Sequence, residues 1–398
     1  MKKMIKFGTQ SLLAVLISIS FCFAQARQAP KRPAQARDRA PFLDQAKLFE
    51  ETSSFPYAAK IVLRNGLTAL VEEYRSQPVV SIQTHIHAGS FNEPSQSIGV
   101  ARLLASMVFR GPADKEAGTY RQSVQALGGA IYKSIDYDET VFEVVVPSSQ
   151  WKKALELQAN AILNVNLNPE DLALETGLLA GEARNTLDNP DEFAEEQLLE
   201  LAFDQPRMAV LSEISGDKPL TLKRENLADF YKAAYVPSKM VLSISGDVNS
   251  SEVLNEIARI FGKPAASAAK SVSISVNDSQ NGFRYQLIRG NVAVPHLLVG
   301  FHTVEENADD YHALEVLSAI LGLGEGSVLN SRLRDQKGLI WKEESNLLAG
   351  KDFGYLMIQM ETDPQNLDKC QLAVLTEIEL LKRNEPNETD MARAFAQM

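Results

Sequence analysis

The chain is poor in the residues that staple a fold or ligate a metal. Its 398 residues include two cysteines and five histidines. Cys22 lies inside an amino-terminal leader, so removal of the leader leaves Cys370 alone and excludes an intramolecular disulfide, although the export route would permit one. His85 and His87 share one face of a strand at a spacing that some metal sites use, whereas His296, His302 and His312 lie far along the chain. Without a nearby carboxylate cluster the pair reads as structural. Beyond the leader no apolar run approaches the roughly 18 residues of a membrane span. Basic character is missing too: the formal net charge is −11, which argues against nucleic acid as a partner.

Two catalytic signatures are also absent. The glycine-rich run Gly322, Gly324, Gly326 and Ser327 is not followed by Gly-Lys-Ser/Thr, so it is no phosphate loop. Neither Ser106 nor Ser327 stands in a Gly-x-Ser-x-Gly elbow.

What is present is the composition of an ordinary globular protein, 45% hydrophobic and 23% charged, long enough for two or three domains. Lys2, Lys3 and Lys6, an apolar stretch from Leu12 to Phe23, and Ala24-Gln25-Ala26 follow the order of a secretory signal, expected over residues 1–26. Residues 27–55 begin rich in Gln, Ala, Pro and Arg and are expected to be a disordered leader.

From Lys60 onward the periodicity sharpens. Ile61 to Leu63, a turn at Asn65-Gly66 and Leu67 to Val71 predict a hairpin, followed by a strand from Val79 to His87. Helices are predicted over Ser97 to Phe109, closed by Gly111-Pro112, and Thr119 to Leu127, then a strand over Val141 to Val146. Helical stretches follow at Ser149 to Val165, Pro169 to Leu187 and from Pro190, where Asp191, Glu192, Glu195, Glu196 and Glu200 predict a solvated acidic face. Helix Leu220 to Ala233, strand Val241 to Ile244 and helix Ser251 to Phe261 complete a first half, 56–264. A linker is expected over 265–282, and residues 283–398 restart the theme. Strand Leu297 to Phe301 answers Val79 to His87, helix Asp310 to Leu321 answers Ser97 to Phe109, and strand Tyr355 to Met360 answers Val141 to Val146. The fold class is α+β, with the second half shorter than the first.

Gly99-Val100-Ala101-Arg102-Leu103-Leu104-Ala105-Ser106-Met107-Val108-Phe109-Arg110-Gly111 reads as a buried helix with a misplaced charge at Arg102. Positions 102, 105 and 106 share a face. The segment resembles the signature helix of the M16 (insulinase and pitrilysin type) metallopeptidases, Gly-hydrophobic-Ala-His-x-x-Glu-His-Met-hydrophobic-Phe-basic-Gly. In that family the two histidines bind zinc and the glutamate is the general base. Here those positions hold Arg102, Ala105 and Ser106: a permanent cation, a methyl group and a poor zinc ligand.

The family's third ligand is a glutamate on a later helix, with another glutamate seven residues before it. Glu175 to Glu182, followed by Asp188-Asn189-Pro190, resembles that segment and puts Glu182 at the ligand position. Seven residues are about two turns, so Glu175 and Glu182 lie on one face, as two solvated glutamates or as a remnant of the metal site. An ion pair between Arg102 and Glu182 is expected, because a buried charge needs a partner.

In the second half, Leu333 to Trp341 resembles the family's Leu-Arg-x-x-x-Gly-Leu-x-Tyr element, whose Arg and Tyr hold substrate. Arg334 is retained and Trp341 replaces the tyrosine, removing the hydroxyl. After Gly128-Gly129 the family's peptide-pairing stretch Asn-Ala-x-Thr is replaced by Tyr132-Lys133-Ser134-Ile135.

The resemblance implies two related M16-type (LuxS/metallohydrolase-like) halves, each a mostly antiparallel sheet with packed helices, the second incomplete. It implies an exported, periplasmic protein of a Gram-negative bacterium with no intact catalytic residues. No cofactor of its own is expected, zinc belonging to an active M16 paralogue with which this chain forms a heterodimer acting on peptides. The alternatives are an active zinc endopeptidase using Glu182 with His85 or His87, and a peptide-binding or scaffold protein with no protease partner.

Overall fold

The computed structural model describes residues 49–54, 58–113, 118–203, 205–215, 222–262, 280 and 282–398. The expected signal segment 1–26, the leader up to residue 48 and most of the expected linker lie outside the described residues. The last part of the expected leader is not irregular. Phe49–Ser54 forms strand β1, paired antiparallel with β2, Ala58–Leu63. Backbone pairing on a sheet edge orders it, which composition could not indicate.

Strand β2 turns at Asn65-Gly66 into β3, Thr68–Glu73. Gly66 has φ +91°, which a β-carbon would strain, and a Cβ there would lie 2.8 Å from that of Ser238. β4 spans Val79–Ile86, β5 Ala130–Ile135, β6 Thr140–Pro147 and β7 Met240–Gly246. They form one sheet in the order β1-β2-β3-β7-β4-β6-β5, antiparallel except where β7 runs parallel to β3. Strands β4, β6 and β7 alternate buried and half-buried residues, as expected where one face meets the core.

That core face is covered by helices α1, Val100–Arg110; α2, Thr119–Ala126; α3, Trp151–Leu163; and α8, Ser250–Phe261. Ile82, Phe142, Val144 and Ile244 from the sheet are shut away with Leu103, Met107, Leu155 and Ile257 from the helices. Between α3 and α8 lie α4, Pro169–Leu187; α5, Pro190–Phe203; α6, Val210–Ser215; and α7, Arg224–Ala234.

β5 has no counterpart among the predicted strands. Only half-buried and exposed residues compose it, because it is an edge strand, so it carries no apolar alternation to read.

The second half has a three-stranded antiparallel sheet of β8, His296–His302; β9, Ile340–Ala349; and β10, Gly354–Thr362, in the order β8-β10-β9. This repeats β4-β6-β5, so the weak internal repeat in the sequence is a repeat of topology. Helix α9, Tyr311–Gly322, follows β8 in the chain as α1 follows β4. A π-helical turn over Asn330–Gln336 precedes β9. Helices α10, Leu367–Arg383, and α11, Glu388–Gln397, follow β10, and α10 buries the free Cys370.

The halves share an aromatic core. Phe91, Leu199, Phe203 and Met208 from the first pack with Phe353, Tyr355 and Met357 from the second. The Phe353 ring lies 4.9 Å from Phe91 and 5.2 Å from Tyr137, both edge-on, the arrangement that ring quadrupoles favour. The acidic helix α5 lies against this junction, with Asp191, Glu195 and Glu196 half-buried, while Glu192 and Glu200 are exposed as expected. Tyr355 donates its hydroxyl to Glu195 at 3.2 Å, and Asp191 lies 2.6 Å from His296 Nδ1.

Candidate functional site

Helix α1 is held at both ends by carboxylates. Gly99 precedes it at φ +87°. Glu93, 0% exposed, accepts the backbone N–H groups of Gly99 at 2.7 Å and Ala101 at 2.8 Å, satisfying donors that the first turn leaves open. Burial pushes the Glu93 carboxyl up to about 7, against the pull of those two N–H groups and of Arg102 and Arg207. At the other end Arg110 pairs with Glu175 of α4 at 2.7 Å and lies 3.8 Å from Asp171. Helix α4 starts at the Asn168 cap and Pro169, Asn168 accepting from the Asp171 N–H. The sequence pattern located these ends directly.

Between these anchors lie Arg102, Ala105 and Ser106. Ala105 is 0% exposed and Ser106 7%. The side chain that reaches them is Lys133, from edge strand β5. Its Nζ donates to Ser106 Oγ at 2.5 Å. Burial pulls the lysine's proton affinity below its ordinary value, while Glu182 and then Glu175 oppose that pull. The Lys133 ammonium also lies 5.6 Å from the centre of the Phe109 ring.

Glu175 and Glu182 thus both act on one cation, although Glu175 is half-buried and Glu182 is exposed. Sequence reasoning did not single out Lys133. The available sign was a lysine in the strand facing a helix that had lost its acidic residue.

Arg102 does not form the expected pair with Glu182 among the described residues. Its Nε is buried without a hydrogen-bond partner, and the side chain lines a cavity of about 140 Å³ with Ser90, Asp136, Tyr137, Glu196 and Met208. Arg102 faces other acids instead: Asp136 and Glu196 line the same cavity, and Glu93 lies within its field.

The remaining sequence-predicted residues lie elsewhere. Arg334, on the π-helical turn, pairs with Glu325 at 2.6 Å and Asp335 at 2.9 Å within its own half. Trp341 on the edge strand β9 is 64% exposed. His85 meets Glu139 at 3.2 Å and Gln83 at 3.3 Å. The described contacts of His85 therefore do not join it to Glu182.

A zinc ion of the kind the signature helix implies does not fit these residues. Ala105 offers no donor atom, Ser106 already accepts from an ammonium, and Arg102 adds a fixed positive charge. The arrangement suits an internal cation better than a metal.

Comparison with known proteins places this geometry. Residues 68–211 match the family model described as "Insulinase (Peptidase family M16)", and residues 221–398 match "Peptidase M16 inactive domain". An uncharacterized zinc protease of Rickettsia felis is 25% identical over 345 residues, 84% of this chain and 81% of the relative. A probable mitochondrial-processing peptidase subunit beta of Arabidopsis thaliana is 23% identical, over 87% of this chain and 67% of the relative. In fold, a protease from Helicobacter pylori aligns with a TM-score of 0.77 at 22% identity, covering 85% of this chain and 83% of that one. The periplasmic protease PqqL of Escherichia coli aligns with a TM-score of 0.68 at 18% identity, over 86% of this chain and 40% of that chain. The two family domains in succession, on a two-half fold shared with these proteases, establish that the chain belongs to the M16 peptidase family.

Proposed function

We propose that this chain is a peptidase-like subunit with no catalytic zinc site of its own, which works in peptide or protein degradation or processing with an active M16 paralogue as its partner. The observation that carries the proposal is the Lys133 ammonium donated to Ser106 at the second ligand position, in the field of Glu182. A metal needs deprotonated donors converging on an open position, and a lysine there supplies the opposite charge. Ala105 at the position of the general base removes the group that would activate water.

In the pair, the partner brings zinc and base, and this chain contributes a wall of the chamber together with Arg334 and Trp341 as peptide contacts. The Arabidopsis relative is named as a subunit and the E. coli neighbour as periplasmic, which supports pairing and export. The basic, apolar and small-residue order of the first 26 residues supports the same address.

The test is peptide hydrolysis by the purified chain, by an exported paralogue with an intact His-x-x-Glu-His helix, and by both together. Cleavage is expected to need the paralogue and to rise when this chain is added. Chelator-sensitive cleavage by this chain alone would overturn the proposal in favour of an unusual ligand set. A paralogue indifferent to this chain would favour a scaffold role.

A further inference from the structure

We propose that Asp191, His296 and Glu361 form a site for a divalent transition-metal ion of the zinc class, clasping helix α5 to the second sheet. The site uses none of the residues of the signature helix and stands apart from the peptidase reading.

His296 on β8 and Glu361 on β10 are direct cross-strand partners, so their side chains leave the same face of the sheet. Asp191, in the first turn of α5, comes down onto that face. One ligand atom from each residue lies within 4.8 Å of the other two, so that small side-chain shifts bring all three onto a single ion. One imidazole and two carboxylates are a borderline donor set, suited to zinc and its neighbours more than to magnesium.

A second observation comes from His296 itself. Its side chain is 12% exposed, and Nδ1 stands 2.6 Å from Asp191 Oδ1. That nitrogen is fully buried and makes no aligned hydrogen bond, so its donor capacity is open to an ion beside Asp191. Gln359 donates to Asp191 Oδ1, the oxygen that faces His296, and so fixes the orientation of the carboxylate.

The resident competitor is Lys342, paired with Glu361 across β9 and β10. Its Nζ lies 3.8 Å from Asp191 and 3.8 Å from Glu361, and the side chain is 56% exposed. An exposed lysine can swing out to water as the ion enters. The ammonium then moderates affinity without blocking the site.

Calorimetric titration of zinc into the full-length chain, with magnesium as control, tests the proposal. One zinc is expected to bind, with magnesium much weaker. His296→Ala and Glu361→Gln each weaken zinc binding by more than about tenfold, and Lys342→Met strengthens it. The nearly isosteric Glu361→Gln covers the case in which the histidine variant fails to fold. X-ray absorption of the bound zinc is expected to show imidazole nitrogen with oxygens. No zinc binding, or affinity unchanged in both ligand variants, overturns the proposal.

Discussion

Lys133 Nζ donates to Ser106 Oγ at 2.5 Å, joining the edge strand β5 to helix α1 at the position where the M16 signature carries a second histidine. The contact bridges two elements that share little apolar surface, since β5 buries none of its residues fully. A cation with two acids in its field and a hydroxyl to bind can take over the cross-linking that a metal performs.

Lys133→Met keeps the apolar stem and removes the charge. It leaves the Ser106 hydroxyl without its donor and takes a cation from the field of Glu182, while Glu175 keeps Arg110. The lost hydrogen bond outweighs the burial cost that the ammonium no longer bears, and the expected net loss is about 1 kcal/mol of stability at neutral pH, read by urea denaturation. A variant as stable as the parent would mean that the ammonium is incidental.

Rebuilding the signature tests the same geometry from the other side. Arg102→His, Ala105→Glu and Ser106→His together are expected to give weak zinc binding while Lys133 remains. Adding Lys133→Ala is expected to tighten binding by at least about tenfold, since a fixed positive charge no longer opposes the metal. The titration is done in the His296→Ala background, so that the junction site does not contribute.

These contrasts show where the sequence was informative. The ends of α1 and α4 are written locally, in Gly99, Gly111-Pro112 and Asn168-Pro169, and the structure has them within a few residues of the expected positions. Lys133 was visible as a residue but not as a neighbour of Ser106, because 27 residues and a strand-edge register separate them. The Arg102–Glu182 pair was misjudged for the same reason: the acids that Arg102 faces, Asp136 and Glu196, come from other elements. The acidic stripe on α5 looked solvated because its counterparts, His296 and Tyr355, lie more than a hundred residues away.

Buried acids give the protein a pH signature. Glu343 on β9 has a buried Oε1 with no hydrogen-bond partner, and burial pushes its carboxyl up to about 8. The folded state therefore holds a proton that the unfolded chain releases near 4.5. Its contribution is fully present below about pH 4.5 and is lost as pH rises toward 8. Glu343→Gln is expected to gain stability relative to the parent across that window and to match its slope outside it. Paired denaturation curves from pH 4 to 9 check this, and parallel curves throughout would contradict it.

The aromatic junction carries much of the hold between halves. Phe353 is 5% exposed and touches Phe91, Tyr137 and Phe203. Phe353→Ala is expected to cost about 3–5 kcal/mol, and proteolysis of the folded protein should then cut first between the halves. A small loss with unchanged cleavage would place the hold elsewhere.

The proposal that the chain lacks a working zinc centre is tested most directly by measuring zinc content and peptide hydrolysis on the full-length chain, both as it stands and with His296→Ala, in zinc-supplemented buffer. The account predicts no chelator-sensitive cleavage from either protein and no stoichiometric zinc in the variant. One zinc retained per His296→Ala chain, with peptide cleavage that a chelator abolishes, would contradict it.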